Sequence, residues 1–299
     1  MSTTTLDAIV IGGSYAGLSA ALQLARARRA IAVIDAGQRR NRFAATSHGF
    51  LGHDGRSPEA IASDARAQLL AYPGVRWLQD SATAASRDAD GGGFSVTTPA
   101  ATLHARRLVL ATGVADELPT LPGLAERWGR SVFHCPYCHG YELDRGRIGV
   151  LAWSPTAIHH ALMLPDWGSV TLFLNDAFEP DQAQREALAA RGVALVSGRV
   201  ARLAGHATVE LQDGRRIETD GLFTATTTRM ASPIAEQLGC AFEAGPIGPV
   251  IQRGPLLETT VQGVFACGDA ARPFGNVAIA VGDGAMAGAA AHRSLIPGL

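Results

Sequence analysis

The chain has 299 residues, 26 basic against 27 acidic for a formal charge of −1, a balance that exerts no general pull toward nucleic acid or an anionic membrane. All 26 basic residues are arginine, which excludes Schiff-base catalysis and a Walker-type phosphate lysine. The length exceeds the roughly 100–200 residues of one domain, so two are expected, and four cysteines are too few for a disulfide scaffold.

In chain order, residues 1–5 carry neither a charged n-region nor an apolar h-region. No run approaches the roughly 18–20 apolar residues that cross a bilayer. The expectation is a cytoplasmic protein with no membrane or nucleic-acid partner. A strand is predicted over 6–11, then the turn Gly12-Gly13-Ser14-Tyr15-Ala16-Gly17, then a helix over 17–28 with Leu18, Leu22 and Ala25 at helical spacing. A strand over 30–34 ends at Asp35, completing a βαβ unit of about 30 residues, the context in which a glycine fingerprint gains weight. A helix is predicted over 58–70. Short strands follow over 77–84, 93–98 and 103–110, broken by Gly91-Gly92-Gly93 and ending at Ala111-Thr112-Gly113.

Pro119, Pro122 and Gly123 mark a crossing, after which the plan repeats: strand 148–152, helix 155–164, strand 169–174, helix 181–190, strand 193–197, meander 199–225. Gly12 and Ala152, Gly17 and Ala157, and Asp35 and Asn175 all stand 140 residues apart, so the two halves share one register without a gap. Gly245-Pro246-Ile247-Gly248-Pro249 marks the return. The expected fold is α/β, a duplicated pair of Rossmann-like domains with the second (116–247) inserted into the first (1–115 and 248–299).

Only the first half keeps its phosphate loop. Glycines there let the backbone approach a pyrophosphate on the positive end of the helix, with Ser14 standing where a middle glycine is usual. Asp35 can accept from a ribose hydroxyl and disfavours a 2′-phosphate. In the second half Ala152 and Ala157 replace the outer glycines, Trp153 adds bulk and Pro155 removes an N–H. Asp176, Glu179 and Asp181 follow Asn175 and would repel a 2′-phosphate.

His134-Cys135-Pro136-Tyr137-Cys138-His139 admits four readings: a redox-active dithiol, a structural pair, a zinc site, and a c-type haem attachment by Cys138-His139. As a dithiol, Cys135 and Cys138 would carry the electrons and His139 the protons, since imidazole titrates near neutral pH. His134 is a further catalytic candidate. Glu142 can orient a histidine, and His48 and His53 lie after the first βαβ unit where they can overhang a cofactor.

A second element, Val264-Phe265-Ala266-Cys267-Gly268-Asp269-Ala270, ends a strand in Gly-Asp. With the Ala-Thr-Gly strand end, it resembles the FAD-binding pattern of two-dinucleotide-domain flavoproteins, which have three-layer ββα domains. That resemblance implies an FAD site made of Gly12, Gly13, Ser14, Ala16, Gly17, Asp35, Ala36, Gly37, Gln38, Thr112, Gly113, Gly268 and Asp269. Asp269 would hold the ribityl or pyrophosphate region, and the backbone of Val277 and Ala278 would border the isoalloxazine. Over essentially its whole length the chain resembles low-molecular-weight thioredoxin reductases, which implies Cys138 as the flavin-side sulfur, Cys135 as the interchange sulfur, and a homodimer. Those reductases place an aspartate after the second cysteine. The histidine here, in Cys-Pro-Tyr-Cys-His-Gly-Tyr-Glu, is more similar to the NADPH-independent dithiol oxidases of the gliotoxin and holomycin type. The implied function is an FAD-dependent thiol-disulfide oxidoreductase acting on a small dithiol or a thioredoxin-like protein, with oxygen as acceptor. Two alternatives stand beside it: a disulfide reductase fed by divergently bound NAD(P)H or by ferredoxin, and a flavin-bound redox sensor without turnover. Cys240 and Cys267 are read as small buried residues.

Overall fold

The computed structural model describes residues 6–89 and 91–299; residues 1–5, read above for a leader, lie outside the described residues. Two compact units are present, one of residues 1–42, 58–116 and 228–299, the other of residues 43–57 and 117–227. These boundaries differ from the expected ones in two places. Residues 228–247 belong with the first unit because Ile234, Ala235 and Cys240 are buried with Ile9, Phe94 and Leu110. The loop 43–57 belongs with the second unit, where Gly129 sits against Phe43.

The first unit opens with β1 (Leu6–Ile11), α1 (Tyr15–Arg26), β2 (Ile31–Ile34), α2 (Pro58–Leu70) and β3 (Val75–Leu78), followed by β4 (Ala84–Arg87), β5 (Phe94–Thr97), β6 (Thr102–Leu110) and the connector β7 (Val114–Glu117). The sheet order is β3-β2-β1-β6-β5-β4, with β3, β2, β1 and β6 parallel and the last two antiparallel. The predicted strand over 77–84 is two elements. Val75–Leu78 joins β2 in parallel, and the meander begins only at Ala84. Side chains of β1 alternate between two cores, Ile9 and Ile11 on one face and Ala8 and Val10 on the other, as in a parallel sheet covered on both sides.

The second unit contributes β8 (Val132–Phe133), the single turn α3 (Pro136–His139), β9 (Arg147–Leu151), α4 (Ala157–Met163), β10 (Ser169–Phe173), α5 (Gln182–Ala190) and β11 (Ala194–Val196). A three-stranded meander follows, β12 (Val200–Ala204), β13 (Thr208–Leu211) and β14 (Arg216–Ile217), and then β15 (Gly221–Thr224). Its main sheet is β11-β10-β9-β15-β8, all parallel. The path β11-β10-β9-β15 repeats β3-β2-β1-β6, so the duplication read from the 140-residue register exists as topology.

The chain returns through β16 (Thr227–Met230), which pairs with β7, then α6 (Ile234–Gln237), β17 (Phe242–Ala244), β18 (Pro249–Ile251), β19 (Val264–Ala266) and α7 (Val277–Arg293). Strand β19 lies parallel beside β6, the position that β8 takes beside β15. The Gly268-Asp269 pair and the cysteine pair therefore follow equivalent strands of the two units. Among the described residues no helix is long and apolar enough to cross a membrane.

Candidate active site

The dinucleotide residues predicted from sequence come together at one end of one sheet. Gly12–Gly17 follow β1, Asp35–Gln38 follow β2, Thr112 and Gly113 follow β6, and Gly268 and Asp269 follow β19. These four strands are neighbours in the order β2-β1-β6-β19, and the carboxyl ends of parallel strands are where α/β sheets bind nucleotides. Val277 and Ala278 begin α7, capped by Asn276, whose Oδ1 accepts the Ile279 N–H at 2.9 Å.

These residues fit FAD. A Cβ on Gly12, whose φ is +104°, would lie 2.2 Å from the Ala111 carbonyl oxygen, and one on Gly17 would lie 1.7 Å from that of Gly12. Only bare backbone closes this turn onto the start of α1, where the Ser14 side chain makes no cap and the first N–H groups can face phosphate. Oδ1 of Asp35 accepts from the N–H groups of Gly13 (3.2 Å) and Gly37 (3.1 Å), which fixes the carboxylate and leaves Oδ2 for a ribose hydroxyl.

Two supports of this site carry no local signal in the sequence. Arg40 donates to Asp269 at 2.9 Å and, in a fork, to Asp116 at 3.0 and 2.5 Å. Asp283, within α7 and with its side chain fully enclosed, accepts from the Gly268 N–H at 2.8 Å, from both Arg253 Nη atoms at 2.8 and 3.0 Å, and from Arg272 Nε at 3.0 Å. Asp269 is thus held by Arg40, and the turn before it by Asp283. Arg40 stands 229 residues from Asp269 in the chain, a separation over which one sequence carries no pairing signal.

In the second unit β8 delivers the chain to Cys135, which caps the single turn Pro136–His139. Proline at the first helical position gives up no needed hydrogen bond. The turn is closed by Cys138 N–H to the Cys135 carbonyl at 3.2 Å and Gly140 N–H to that of Pro136 at 2.7 Å. Cys135 and Cys138 form a disulfide with Cα atoms 5.3 Å apart. His139 stacks on Phe133 with ring centroids 4.1 Å apart, and both its ring nitrogens are buried without a hydrogen-bond partner among the described residues. Burial foremost, then the neighbouring His134 and His48, pushes its pKa down to about 4, so the ring is neutral at pH 7. With the cysteines oxidised no thiolate stands beside it, and the ring is a neutral group able to take up a proton.

His134 is exposed and stacks on Trp128 at 5.7 Å. Glu142 does orient a histidine, but it is His48, with Nε2 at 3.3 Å from Oε1. His53 stays within its loop, against Phe50 and Arg56. Cys267 is buried, which pushes its thiol up to about 12, and Cys240 lies buried against Thr259; neither thiol is poised to react. No group of three or more metal-ligating side chains occurs among the described residues.

The turn after β9 does not fit NAD(P)H. Ala152 is fully buried, Trp153 Nε1 donates to Thr224 Oγ1 at 3.1 Å, and α4 is only seven residues long. Asn175, at the position of Asp35, spends both ends of its amide on backbone: Nδ2 donates to the Ala152 carbonyl at 3.1 Å and Oδ1 accepts the Val200 N–H at 2.9 Å. Of the acids after it, Asp181 caps α5 in a capping box and Glu179 pairs with Arg185; their placement is structural, with Asp176 left exposed.

A dinucleotide cradle in one unit and a redox disulfide under a histidine in the other define an FAD-dependent disulfide oxidoreductase. Comparison gives the particular family: the chain belongs to the pyridine nucleotide-disulphide oxidoreductases, whose pattern matches residues 6–284. It is 33% identical over 325 residues to thioredoxin reductase tcpT of Claviceps purpurea, covering 100% of this chain and 97% of that one. With thioredoxin reductase sirT of Leptosphaeria maculans it shares 35% over 303 residues, 94% of this chain and 92% of the other. A solved oxidoreductase from Agrobacterium tumefaciens is 57% identical, with a TM-score of 0.94 over 97% of this chain and 98% of that one.

Proposed function

We propose that the protein is a dithiol oxidase that closes a disulfide in its substrate, using Cys135 and Cys138 as the exchange pair and oxygen as the final acceptor. The observation that carries this reading is the closed turn after β9, where Asn175 and Trp153 bond to the chain itself in place of a nicotinamide nucleotide. Electrons must then enter from the thiol side.

One substrate thiolate attacks Cys135 Sγ, forming a mixed disulfide and releasing Cys138 as the leaving thiolate. The second substrate thiol attacks the substrate sulfur of that bond, expelling Cys135 and completing the product disulfide. Each cysteine leaves as a thiolate and takes up one of the two thiol protons, and the half-buried His139 next to Cys138 is the group we assign to relay them one at a time. FAD, which the Gly12–Gly17 turn, Asp35 and the Gly268-Asp269 turn would hold, would supply a two-electron acceptor for the reduced Cys135–Cys138 pair, with oxygen, reduced to hydrogen peroxide, as the final acceptor. Cys138 is the flavin-side sulfur in this assignment.

The test is oxygen uptake by the FAD-loaded enzyme with a panel of small dithiols and with reduced thioredoxin. Sustained uptake matched by equal peroxide and disulfide is expected. No uptake with any dithiol, together with NADPH-driven reduction of a disulfide, would replace the oxidase by a reductase.

A further inference from the structure

Arg40 joins three of the four segments that follow the strands of the nucleotide site. It lies after β2, beyond Asp35–Gln38. Its Nε and Nη2 fork onto Asp116 of β7, just past the Thr112-Gly113 strand end, at 3.0 and 2.5 Å. Its Nη1 donates to Asp269 Oδ2 at 2.9 Å in the turn after β19. None of the three side chains is more than 25% exposed, so water and salt screen the pairing less than on an open surface.

The two carboxylates of the cradle are held by different means. Asp35 is oriented from within its own nucleotide loop, by the N–H groups of Gly13 and Gly37 on Oδ1. Asp269 is oriented from across the site: among the described residues its side chain accepts from Arg40 alone, at Oδ2. That leaves Oδ1, which lies beside Gly275, where a Cβ would come within 2.8 Å of it; a side chain there would cover the oxygen. A carboxylate oxygen accepts from a hydroxyl and repels a phosphate. Of the two groups expected at Asp269, the ribityl chain has hydroxyls to donate and the pyrophosphate has none.

We propose that Arg40 is the positioning residue of the flavin half of the cofactor site: anchored on Asp116, it turns the Asp269 carboxylate so that Oδ1 meets a ribityl hydroxyl. The adenosine half is set without it, by Asp35 and the Gly12–Gly17 turn. Arg40 thereby determines how much more tightly FAD binds than the adenosine diphosphate (ADP) that FAD contains, a property independent of the dithiol-oxidase reading. The competing role is direct phosphate binding, through those of its five N–H groups not spent on the carboxylates. That role would strengthen FAD and ADP alike, because both carry the pyrophosphate.

The test is calorimetric titration of the full-length protein, stripped of flavin and checked for retained fold by circular dichroism, with FAD and with ADP. Arg40→Met combined with Asp116→Asn removes the cation together with one of its anions, so the net charge of the three positions is unchanged. Arg40→Lys keeps the charge and loses the fork, and it carries the same comparison if the double variant fails to fold. FAD affinity is expected to fall about tenfold or more in the double variant and about threefold or more in Arg40→Lys, with ADP affinity within about twofold of the wild type. Asp269→Asn alone should cost FAD about as much as the double variant, and added to the double variant it should cost little further, because the two act through one contact. Equal losses for FAD and ADP would make Arg40 a phosphate ligand or a general prop of the cradle. Unchanged FAD affinity, or a full additional loss from Asp269→Asn, would show that Asp269 needs no positioning by Arg40. Either result overturns the proposal.

Discussion

His139 is useful because of what surrounds it. Packed on Phe133 and near His134 and His48, its pKa is pushed from 6.5 to about 4, so folding stabilises the neutral ring. Between those two values the unfolded chain binds the extra proton, so stability rises with pH across that window. The contribution is complete above pH 6.5 and is lost as pH falls toward 4. For a partly buried ring its size is on the order of 1–3 kcal/mol. The melting temperature of the wild type should therefore drop more steeply between pH 6.5 and 4 than that of His139→Gln, which has no proton to gain; parallel curves would show the ring to be solvated. The cysteines give a separate residue-scale expectation. Cys138→Ser leaves the FAD-holding turns of the first unit intact and so should retain flavin, yet lose oxygen uptake with dithiols by about a hundredfold or more. Turnover near the wild-type rate in that variant would mean that electrons bypass the pair.

At the scale of elements, the Gly268-Asp269 turn depends on α7. Asp283 is a fully enclosed carboxylate facing Arg253, Arg272 and the Gly268 N–H, and removing one partner from such a buried ionic cluster typically costs about 3–5 kcal/mol. Asp283→Asn should lower the melting temperature by about 10 °C and reduce the flavin that co-purifies, measured by differential scanning and by flavin absorbance after gel filtration. A shift within about 2 °C and full flavin content would show that Arg253 finds another partner. This cluster also marks what sequence could and could not reveal. Strand β1, helix α1 and strand β2 were legible within two residues because apolar periodicity and the glycine turn are local signals. Helix α2 was found with its observed bounds. The strand at 75–78 does not separate from the meander in the sequence, because its pairing with β2 is a long-range fact. Asp283 reads in sequence as one polar residue in an alanine-glycine helix, and only the fold brings Arg253 to it. Glu142 was recognised as a histidine orienter, but its partner His48 is 94 positions away (142 − 48), too far for spacing to name it.

The whole molecule is one fold used twice with unequal outcomes. Both units carry the parallel order seen in β3-β2-β1-β6 and β11-β10-β9-β15, and both place a functional turn after the strand beside the last of these, Gly268-Asp269 in one and Cys135–Cys138 in the other. The units diverge at the first turn. Gly12 and Gly17 admit a pyrophosphate where Ala152 and Ala157 carry side chains, and Asp35 offers an oxygen where Asn175 is fully engaged with Ala152 and Val200. Freeing Asn175 for a ribose would break two buried hydrogen bonds, each leaving a backbone group unpaired at about 1–3 kcal/mol. NADPH binding would have to overcome that cost and the bulk of Trp153, which is itself bonded to Thr224. Mixed anaerobically with the FAD-loaded enzyme, NADPH should therefore bleach the flavin at least about a hundredfold more slowly than a dithiol that enters through Cys135. Restoring Ala152→Gly and Ala157→Gly should not rescue the reaction, because Asn175 and Trp153 still close the turn. Rapid bleaching of the wild type by NADPH would show that a nicotinamide reaches the flavin by a route outside that turn, and would return the protein to the reductases.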